Sequence, residues 1–477
     1  MTRSMFPSSV ASHVAGAWLM GGGATTNLQD KFSREPIGCV NHVSDDEVVA
    51  AAQASSRAVV EWKATPYERG LVLRSASDIV LSQREQLQDV MAAEAGFTAA
   101  DANGEIERCV QTLRLCAEEA TRLGGEVVPM EGAPGQAGRV GFTMRAPVGV
   151  VCAITPFNSP LNTVAHKVAP ALAAGNAVIL KPSQYTPVTA NILTQALLDA
   201  GLPPAQLSVL HGDAHVAQRI LARPEVAFVA FTGSKSAGRA IQGQIGLRRS
   251  QMELGSIAYT IVDESADIER AVPRIVAAAY RKAGQVCTSI QTLLVHRRRL
   301  DEVTQRLQVQ VAALKYGDPR QRDCQVGPLI SEESARRVAE WVESAIGSGA
   351  MKLVGAPRQG SVVPPTLLCG TNSDMQVRCQ EVFGPVMSIV GFDGFDEALD
   401  VVNSTPYGLA TGVFTDTLAH AWQAAKVLAV GAVHVNEASS SRADLMPFGG
   451  MKESGFGREG PRYAIREMTV ERLITFA

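Results

Sequence analysis

Gly284-Gln285-Val286-Cys287-Thr288 places one cysteine directly after a helix-ending glycine, and the rest of the chain is best interpreted from this stretch. Residues 265 to 282 read as a helix with a serine N-cap and basic residues in its last turn. Gly284 is expected to end that helix. A cysteine in such a turn has a sulfur and a backbone N–H that are free to face a pocket. Taken alone, Cys287 is one of eight cysteines and is better explained as a small buried hydrophobic residue.

Two other polar residues give Cys287 a chemical context. Glu253 follows a short apolar segment and precedes Leu254-Gly255, and Asn158 lies in a loop that is stiffened by two prolines, Pro156 and Pro160. Individually they are typical of a solvated strand end and a turn. Together with Cys287 they supply a base, an amide donor and a nucleophile, the groups that covalent catalysis at a carbonyl requires.

Seven motifs at the expected order and spacing give the sequence its resemblance to the aldehyde dehydrogenase superfamily. They are Pro156-Phe157-Asn158, Leu180-Lys181-Pro182-Ser183, Phe231-Thr232-Gly233-Ser234, Glu253-Leu254-Gly255, Gly284-Gln285-Val286-Cys287-Thr288, Glu381-Val382-Phe383-Gly384-Pro385 and Pro447-Phe448-Gly449-Gly450. The resemblance covers nearly the whole chain. The segment from Phe157 to Pro170 looks most like the lactaldehyde, glyceraldehyde-phosphate and phosphonoacetaldehyde dehydrogenase branches.

An α/β fold follows from the pattern of the sequence as well as from the resemblance. Short apolar segments alternate with amphipathic helices between Val148 and Val262, which is typical of a parallel sheet covered by helices. The resemblance implies an aldehyde dehydrogenase-like fold with two Rossmann-like parallel-sheet domains and a small β oligomerisation arm. The expected boundaries are 1–123 and 148–254 for the dinucleotide-binding domain, 255–448 for the catalytic domain, and 124–147 and 459–477 for the arm and tail.

The resemblance implies that an aldehyde is oxidised to a carboxylic acid with NAD or NADP. Cys287 would form a thiohemiacetal and then a thioester, with Asn158 holding the oxyanion and Glu253 activating the hydrolytic water. Family members that transfer the acyl group to coenzyme A generally lack this glutamate, so the free acid is the expected product. A coenzyme A-acylating semialdehyde dehydrogenase and a catalytically silent structural homologue are the alternatives.

The resemblance also implies a cofactor site that ordinary fingerprints do not reveal, since no G-x-G-x-x-G follows the first strand. The expected cofactor-binding residues are Ile154, Thr155, Pro156, Phe157, Lys181, Ser183, Gln184, Gly233, Ser234, Leu254, Glu381 and Phe383. Two positions depart from the family pattern. Gln184 stands where many NAD-using members have a ribose-binding glutamate, which leaves NAD and NADP both open, and Ser256 replaces a glycine near the expected nicotinamide site.

Many residues that match the family's substrate tunnel are small or polar, so the resemblance implies a short, polar aldehyde as the substrate. The candidate substrate contacts are small, polar or basic: His166, Thr163, Thr288, Arg442 and Arg108. Arg442 and His166, together with Arg108, are suited to an anionic group on the substrate. Val286 argues against a phosphorylated substrate, because several anion-binding members have arginine immediately before the cysteine.

Composition and charge exclude other functions. A net charge of −3 without a cluster of basic and aromatic residues argues against nucleic-acid binding. The cysteines show no Cys-x-x-Cys pair, so we expect no zinc site, and a reducing cytoplasmic location is the default. No apolar run has the length of a membrane span. The tail strand near Leu473 is expected to pair with another subunit, and the resemblance implies a homodimer or homotetramer.

Overall fold

The structure, a computed structural model, describes residues 6–477. The helices are α1 (Asp45–Glu61), α2 (Pro66–Ser82), α3 (Arg84–Ala95), α4 (Ala99–Thr121), α5 (Asn162–Ala173), α6 (Pro187–Asp199), α7 (Ala214–Leu221), α8 (Lys235–Ile245), α9 (Ile268–Tyr280), α10 (Leu300–Ala312), α11 (Glu332–Gly347), α12 (Gln376–Cys379), α13 (Phe395–Asn403), α14 (Leu418–Val427) and α15 (Pro461–Glu467).

The strands are β1 (Ser9–Val10), β2 (Ser12–Val14), β3 (Ala17–Leu19), β4 (Thr25–Gln29), β5 (Pro36–Asn41), β6 (Val127–Val128), β7 (Val140–Pro147), β8 (Val150–Ile154), β9 (Ala177–Lys181), β10 (Leu207–Val209), β11 (Val226–Thr232), β12 (Arg249–Glu253), β13 (Ala258–Val262), β14 (Ile290–His296), β15 (Met351–Val354), β16 (Thr366–Cys369), β17 (Val386–Phe392), β18 (Tyr407–Gly408), β19 (Ala410–Phe414), β20 (Ala432–Val435), β21 (Met451–Lys452), β22 (Gly455–Phe456) and β23 (Thr469–Phe476).

The first large sheet has the order β22-β12-β11-β8-β9-β10-β2-β3. Its central strands run parallel in the order β10-β9-β8-β11-β12, which is the strand order of a dinucleotide-binding sheet. Ile154 pairs with Lys181, and Thr232 pairs with Glu253. The carboxyl ends of four neighbouring strands therefore lie along one edge, where such sheets bind ligands.

The second large sheet has the order β15-β16-β17-β14-β13-β19-β20 and is parallel except for β15. Cys287 lies just before β14, and Glu381 lies before β17. The carboxyl edge of the first sheet and the amino ends of these two strands therefore contribute to the same cavity. Helices cover the sheets and bury apolar side chains such as Leu113, Leu172 and Leu293. The predicted α/β fold class is confirmed.

The arm and the C-terminal tail form a small separate sheet in the order β23-β7-β6. Strand β7 pairs antiparallel with β23 from Pro147–Thr469 to Val140–Phe476. The tail strand therefore pairs with the arm of its own chain. Leu473 and Phe476 remain exposed on it. In the described residues, no helix is both long and apolar enough to cross a membrane.

Candidate active site

Cys287 is presented by a turn that no local helix rule predicts. Helix α9 begins after the N-cap Asp267, not Ser265, and ends at Tyr280. The expected last turn is instead a short 3₁₀ segment in which Lys282 and Ala283 have φ of 50° and 52°. Gly284 continues this left-handed path, and a Cβ there would lie 2.1 Å from the carbonyl oxygen of Gly384. The chain therefore turns sharply, and Cys287 faces a cavity of about 320 Å³.

A buried ion pair holds this turn in place. Lys282 Nζ lies 2.7 Å from Glu105 Oε2 and donates a 3.0 Å hydrogen bond to the carbonyl oxygen of Asn158. The other carboxylate oxygen of Glu105 accepts hydrogen bonds from Ser159 Oγ at 2.6 Å and from the backbone N–H of Asn162 at 2.8 Å. One carboxylate thus joins the cysteine turn to the loop that carries Asn158.

The three predicted catalytic residues line the same cavity. Asn158 Nδ2 donates one hydrogen bond, 2.8 Å long, to the carbonyl oxygen of Gln285, two residues before Cys287. The second N–H of that amide is free to bind an oxyanion. Glu253 ends β12 opposite, is buried, and neither of its carboxylate oxygens has a hydrogen-bond partner. An unpaired carboxylate at this depth is suited to accept a proton from water.

Burial and neighbouring charge set the protonation of the cavity. Burial, followed by the negative charge of Glu459, raises the pKa of Glu253 well above its usual range. Burial, followed by the charge of Glu381, raises the pKa of Cys287 to about 12. Without ligands the sulfur is therefore a protonated thiol at neutral pH, and it needs a base or a bound positive charge to become nucleophilic.

The charge behind Glu253 comes from residues that sequence reasoning missed. Glu459 is buried with Lys167 Nζ at 2.7 Å and Arg442 Nη2 at 2.7 Å. Although burial alone raises its pKa, these two cations hold the pKa of Glu459 well below its usual range. Glu459 therefore remains charged and favours the protonated form of Glu253. Its place between Gly457 and Gly460 in the sequence gives little indication of this role.

The nicotinamide end of the expected cofactor site lies in the same cavity. Pro156, Phe157, Gly233, Ser234, Leu254, Glu381 and Phe383 all line it. Ser234 caps α8 and lines the cavity, so the N-terminus of that helix lies where it would suit a pyrophosphate.

Glu381 and Gly255 approach each other closely at this end of the cavity. Glu381 Oε1 accepts a 3.0 Å hydrogen bond from the backbone N–H of Ser256, and burial raises the pKa of Glu381 to about 7. A Cβ at Gly255 would lie 2.3 Å from Glu381 Oε2, so only glycine allows this approach. The extra Cβ of Ser256 is tolerated beside it, and Ser256 is buried.

The expected adenosine contacts lie outside this cavity, along the same sheet edge. Ile154 and Lys181 end adjacent strands, and the backbone N–H of Thr155 bonds to the carbonyl oxygen of Lys181 at 3.2 Å. Ser183 accepts a hydrogen bond from a nearby backbone N–H at 3.2 Å. Gln184 lines a separate groove. The predicted cofactor residues therefore form one group that lines the cavity and a second group that lies outside it.

His166 is the predicted substrate residue whose placement differs most from expectation. Its ring is buried, does not line the cavity, and lies 2.9 Å from Asp444 Oδ1. Burial, followed by the charge of Arg442, lowers the pKa of His166, so the ring is neutral near pH 7. The expectation that His166 contacts an anionic substrate is therefore corrected. Its ring instead supports the loop that carries Asp444.

The other predicted substrate residues, Thr163, Thr288, Arg108 and Arg442, do line the cavity. Both arginines already have carboxylate partners. Arg108 donates to both oxygens of Asp444, at 2.7 and 3.2 Å, and Arg442 pairs with Glu459. Their positive charge is largely compensated within the protein.

Arg281 is a cationic side chain of the cavity that the sequence analysis left out of the substrate site, as it did Lys282 and Arg337. It lines the cavity and is not ion-paired with any carboxylate in residues 6–477; its one hydrogen bond is 3.5 Å long, to the carbonyl oxygen of Ser440. Burial, followed by the charge of Arg108, lowers the pKa of Arg281. Both effects favour an anionic partner for the guanidinium. The sequence analysis missed this role because it assigned Arg281 to the last turn of a helix.

Known proteins resemble this chain over nearly its full length. The model of the aldehyde dehydrogenase family matches residues 18–474. The 3-sulfolactaldehyde dehydrogenase of Priestia aryabhattai is 43% identical over 446 residues, which are 93% of each chain. Aldehyde dehydrogenase 21 from Physcomitrella patens, solved with the reaction product succinate, has a TM-score of 0.96 at 32% identity and 98% coverage of both chains. The NADP complex of NADP-dependent glyceraldehyde-3-phosphate dehydrogenase from Bacillus halodurans has a TM-score of 0.95 at 30% identity, covering 98% of this chain and 99% of its own.

Proposed function

The chain belongs to the aldehyde dehydrogenase family and is an NAD(P)-dependent enzyme that oxidises an aldehyde to the acid, and from this premise we propose that its substrate is a short aldehyde carrying an anionic group. The observation that carries the proposal is Arg281, a cavity arginine without a carboxylate partner. A carboxylate or sulfonate on the substrate would supply the missing charge-assisted hydrogen bonds.

The similar proteins support the same chemistry. The relative from Priestia aryabhattai is named for an aldehyde with a sulfonate group, and the structure from Physcomitrella patens contains the dicarboxylate succinate. In both molecules an acidic group lies a few bonds from the reacting carbon. A cavity of about 320 Å³ suits compounds of that size.

We assign the covalent step to Cys287. The ionised carboxylate of Glu253, which lines the same cavity, accepts the proton of the Cys287 thiol and passes it to solvent. The thiolate attacks the aldehyde carbon, and the resulting oxyanion is held by the free N–H of the Asn158 amide and the backbone N–H of Cys287. Loss of one such donor typically costs about 3 kcal/mol of barrier. NAD(P)⁺, which the cavity residues around Ser234 and Glu381 would hold, would supply the hydride acceptor, so that a thioester to Cys287 would remain. The left-handed turn at Lys282 and the Lys282–Glu105 ion pair hold the Cys287 sulfur and the Asn158 amide in fixed relative positions.

Glu253 takes the role of base in hydrolysis. It removes a proton from a water molecule that attacks the thioester carbon, and the carboxylic acid leaves as the Cys287 sulfur is released. Burial and then the charge of Glu459 raise the pKa of Glu253 and favour its protonated form, and the fraction that is ionised is therefore a stronger base than an exposed glutamate. Its unpaired oxygens leave it free to bind that water.

Arg281→Met tests the proposed substrate class. We expect kcat/KM for succinic semialdehyde to fall about 10- to 100-fold, the effect of one or two charge-assisted hydrogen bonds, while that for uncharged butanal changes less than about threefold. Arg274→Met is the matched control, because Arg274 lies on α9 but pairs with Glu437 at 3.1 Å and does not line the cavity. Equal losses on both aldehydes, or a wild-type enzyme that prefers butanal, would refute the anionic substrate.

A further inference from the structure

Lys181 is a buried cation that the chemistry at Cys287 does not use. It ends β9 on the sheet edge, its side chain is about nine-tenths buried, and among residues 6–477 its ammonium has neither a hydrogen-bond acceptor nor an ion-pair partner. Burial lowers the pKa of Lys181 to about 8, while the carboxylate of Asp213 opposes that effect. An unpartnered ammonium at this edge indicates a ligand with oxygen acceptors.

Asp213 brings a carboxylate to the same place from the neighbouring strand. Strand β10 pairs with β9, and the backbone N–H of Leu210 donates a 2.8 Å hydrogen bond to the carbonyl oxygen of Leu180. The turn that follows is tight, since a Cβ at Gly212 would lie 2.3 Å from the Val216 side chain. Asp213 therefore lies close to the end of β9.

One oxygen of Asp213 is committed and the other is free. Oδ1 accepts from the backbone N–H groups of His215, at 2.9 Å, and Val216, at 3.4 Å, and so caps α7. Oδ2 has no hydrogen-bond partner in the described chain. Asp213 itself is exposed, so this oxygen is accessible to a ligand. Carboxylates at this edge of dinucleotide-binding sheets accept hydrogen bonds from a ribose 2′-hydroxyl.

Gln184 does not provide a negative charge here. It follows Lys181 by three residues, is neutral, and lines a groove formed with residues 26–34 rather than the cavity. Lys181 and Asp213 therefore bring charge to the end of β9, with His42 and His215 also near Asp213.

We propose that Asp213 makes this enzyme prefer NAD⁺ over NADP⁺, by accepting a hydrogen bond from the adenosine 2′-hydroxyl and repelling a 2′-phosphate. Lys181 binds the ribose oxygens in either cofactor, so the discrimination comes from the carboxylate. The inference concerns the family cofactor and is independent of the anionic aldehyde proposed above. A doubly charged 2′-phosphate held beside an exposed carboxylate corresponds to a preference of roughly tenfold.

Isothermal titration calorimetry with NAD⁺ and NADP⁺, without aldehyde, tests the proposal. The wild-type Kd for NADP⁺ is expected to exceed that for NAD⁺ about tenfold, and less so at high salt because the repulsion is screened. In Asp213→Ser, which keeps a capping oxygen but loses the charge, the two Kd values should become similar.

Asp267→Ser is the matched control, because Asp267 caps α9 with the same side-chain chemistry at a different helix. It should retain the wild-type Kd ratio. Asp213→Asn provides a second neutral cap in case the serine variant is unstable. A wild-type enzyme that binds NADP⁺ as tightly as NAD⁺, or a ratio that is unchanged in both Asp213 variants, would overturn the proposal. Neither outcome bears on the aldehyde specificity measured with Arg281→Met.

Discussion

Replacing Lys282 by methionine tests whether the buried ion pair builds the active site. The Lys282 and Glu105 side chains are only 6% and 1% exposed, and their charged atoms are 2.7 Å apart. Methionine keeps most of the volume but leaves Glu105 Oε2 buried without a partner. Breaking a buried pair in this way costs about 3–5 kcal/mol. The carbonyl oxygen of Asn158 also loses its hydrogen-bond donor. We therefore expect kcat to fall as well as the free energy of unfolding.

Guanidinium denaturation followed by tryptophan fluorescence measures the stability cost. The double variant Glu105→Gln/Lys282→Met should recover at least about 1.5 kcal/mol, because it no longer buries a lone charge. Its kcat should stay low, since Asn158 remains without the lysine donor. Arg306→Met is the control: the Arg306–Glu269 pair is 39% and 77% exposed and should cost less than about 1 kcal/mol. A Lys282 variant as stable as this control, or a double variant no more stable than the single one, would refute the reasoning.

Three further predictions follow from the charges of the site. The alkylation rate of Cys287 by iodoacetamide in the cofactor-free enzyme should rise about tenfold per pH unit between pH 7 and 9.5, because its pKa lies near 12; a plateau below pH 9 contradicts this. Glu459→Gln should move the acidic limb of the kcat profile to lower pH, since the negative charge that raises the pKa of Glu253 is gone; an unchanged limb argues against that coupling. Burial raises the pKa of Asp444, but the stronger effects of His166 and Arg108 lower it below the usual range. The ionised carboxylate therefore stabilises the fold above its unfolded pKa of about 4, and this stabilisation is lost as pH falls. Thermal melts of Asp444→Asn should accordingly show a smaller loss of Tm between pH 5 and 3.5 than the wild type, and an equal loss is the contrary result.

Local sequence patterns predicted several strand ends and helix starts around the site. Glu253 follows a short apolar segment in the sequence and ends a strand of a parallel sheet, as Lys181 does. The Ser44-Asp45-Asp46-Glu47 stretch has the sequence of a capping box, and Ser44 and Glu47 form one at the start of α1. These features depend on neighbours within a few residues, which is why the sequence reveals them.

Arg281 could not be placed from sequence because its position depends on a backbone that breaks the usual rule. Lysine and alanine seldom adopt the left-handed conformation, so Lys282 and Ala283 read as the end of a helix. The buried Glu105 partner and tertiary contacts impose that conformation instead. Arg281 consequently lines the cavity, where a helical continuation would have given it a solvent-facing role.

Contacts between segments that are distant in the chain could not be predicted from local sequence patterns either. Lys167 and His166 are adjacent on a helix whose every residue is buried, and no periodicity distinguishes a substrate contact from a structural one there. Glu459 pairs with Lys167 from near the other end of the chain. Only the folded structure shows that His166 supports a loop while Lys167 and Glu459 tune the pKa of Glu253.

Intact-mass spectrometry of Glu253→Gln, mixed with NAD⁺ and succinic semialdehyde, tests the central claim most directly. Without the base, the thioester should accumulate: one equivalent of NADH forms per active site, and the protein gains the mass of one succinyl group, mapped to the peptide that contains Cys287. Cys287→Ser should show no adduct. An unmodified Glu253→Gln protein that still turns over at the wild-type rate, or an acyl group on any other residue, would contradict the account.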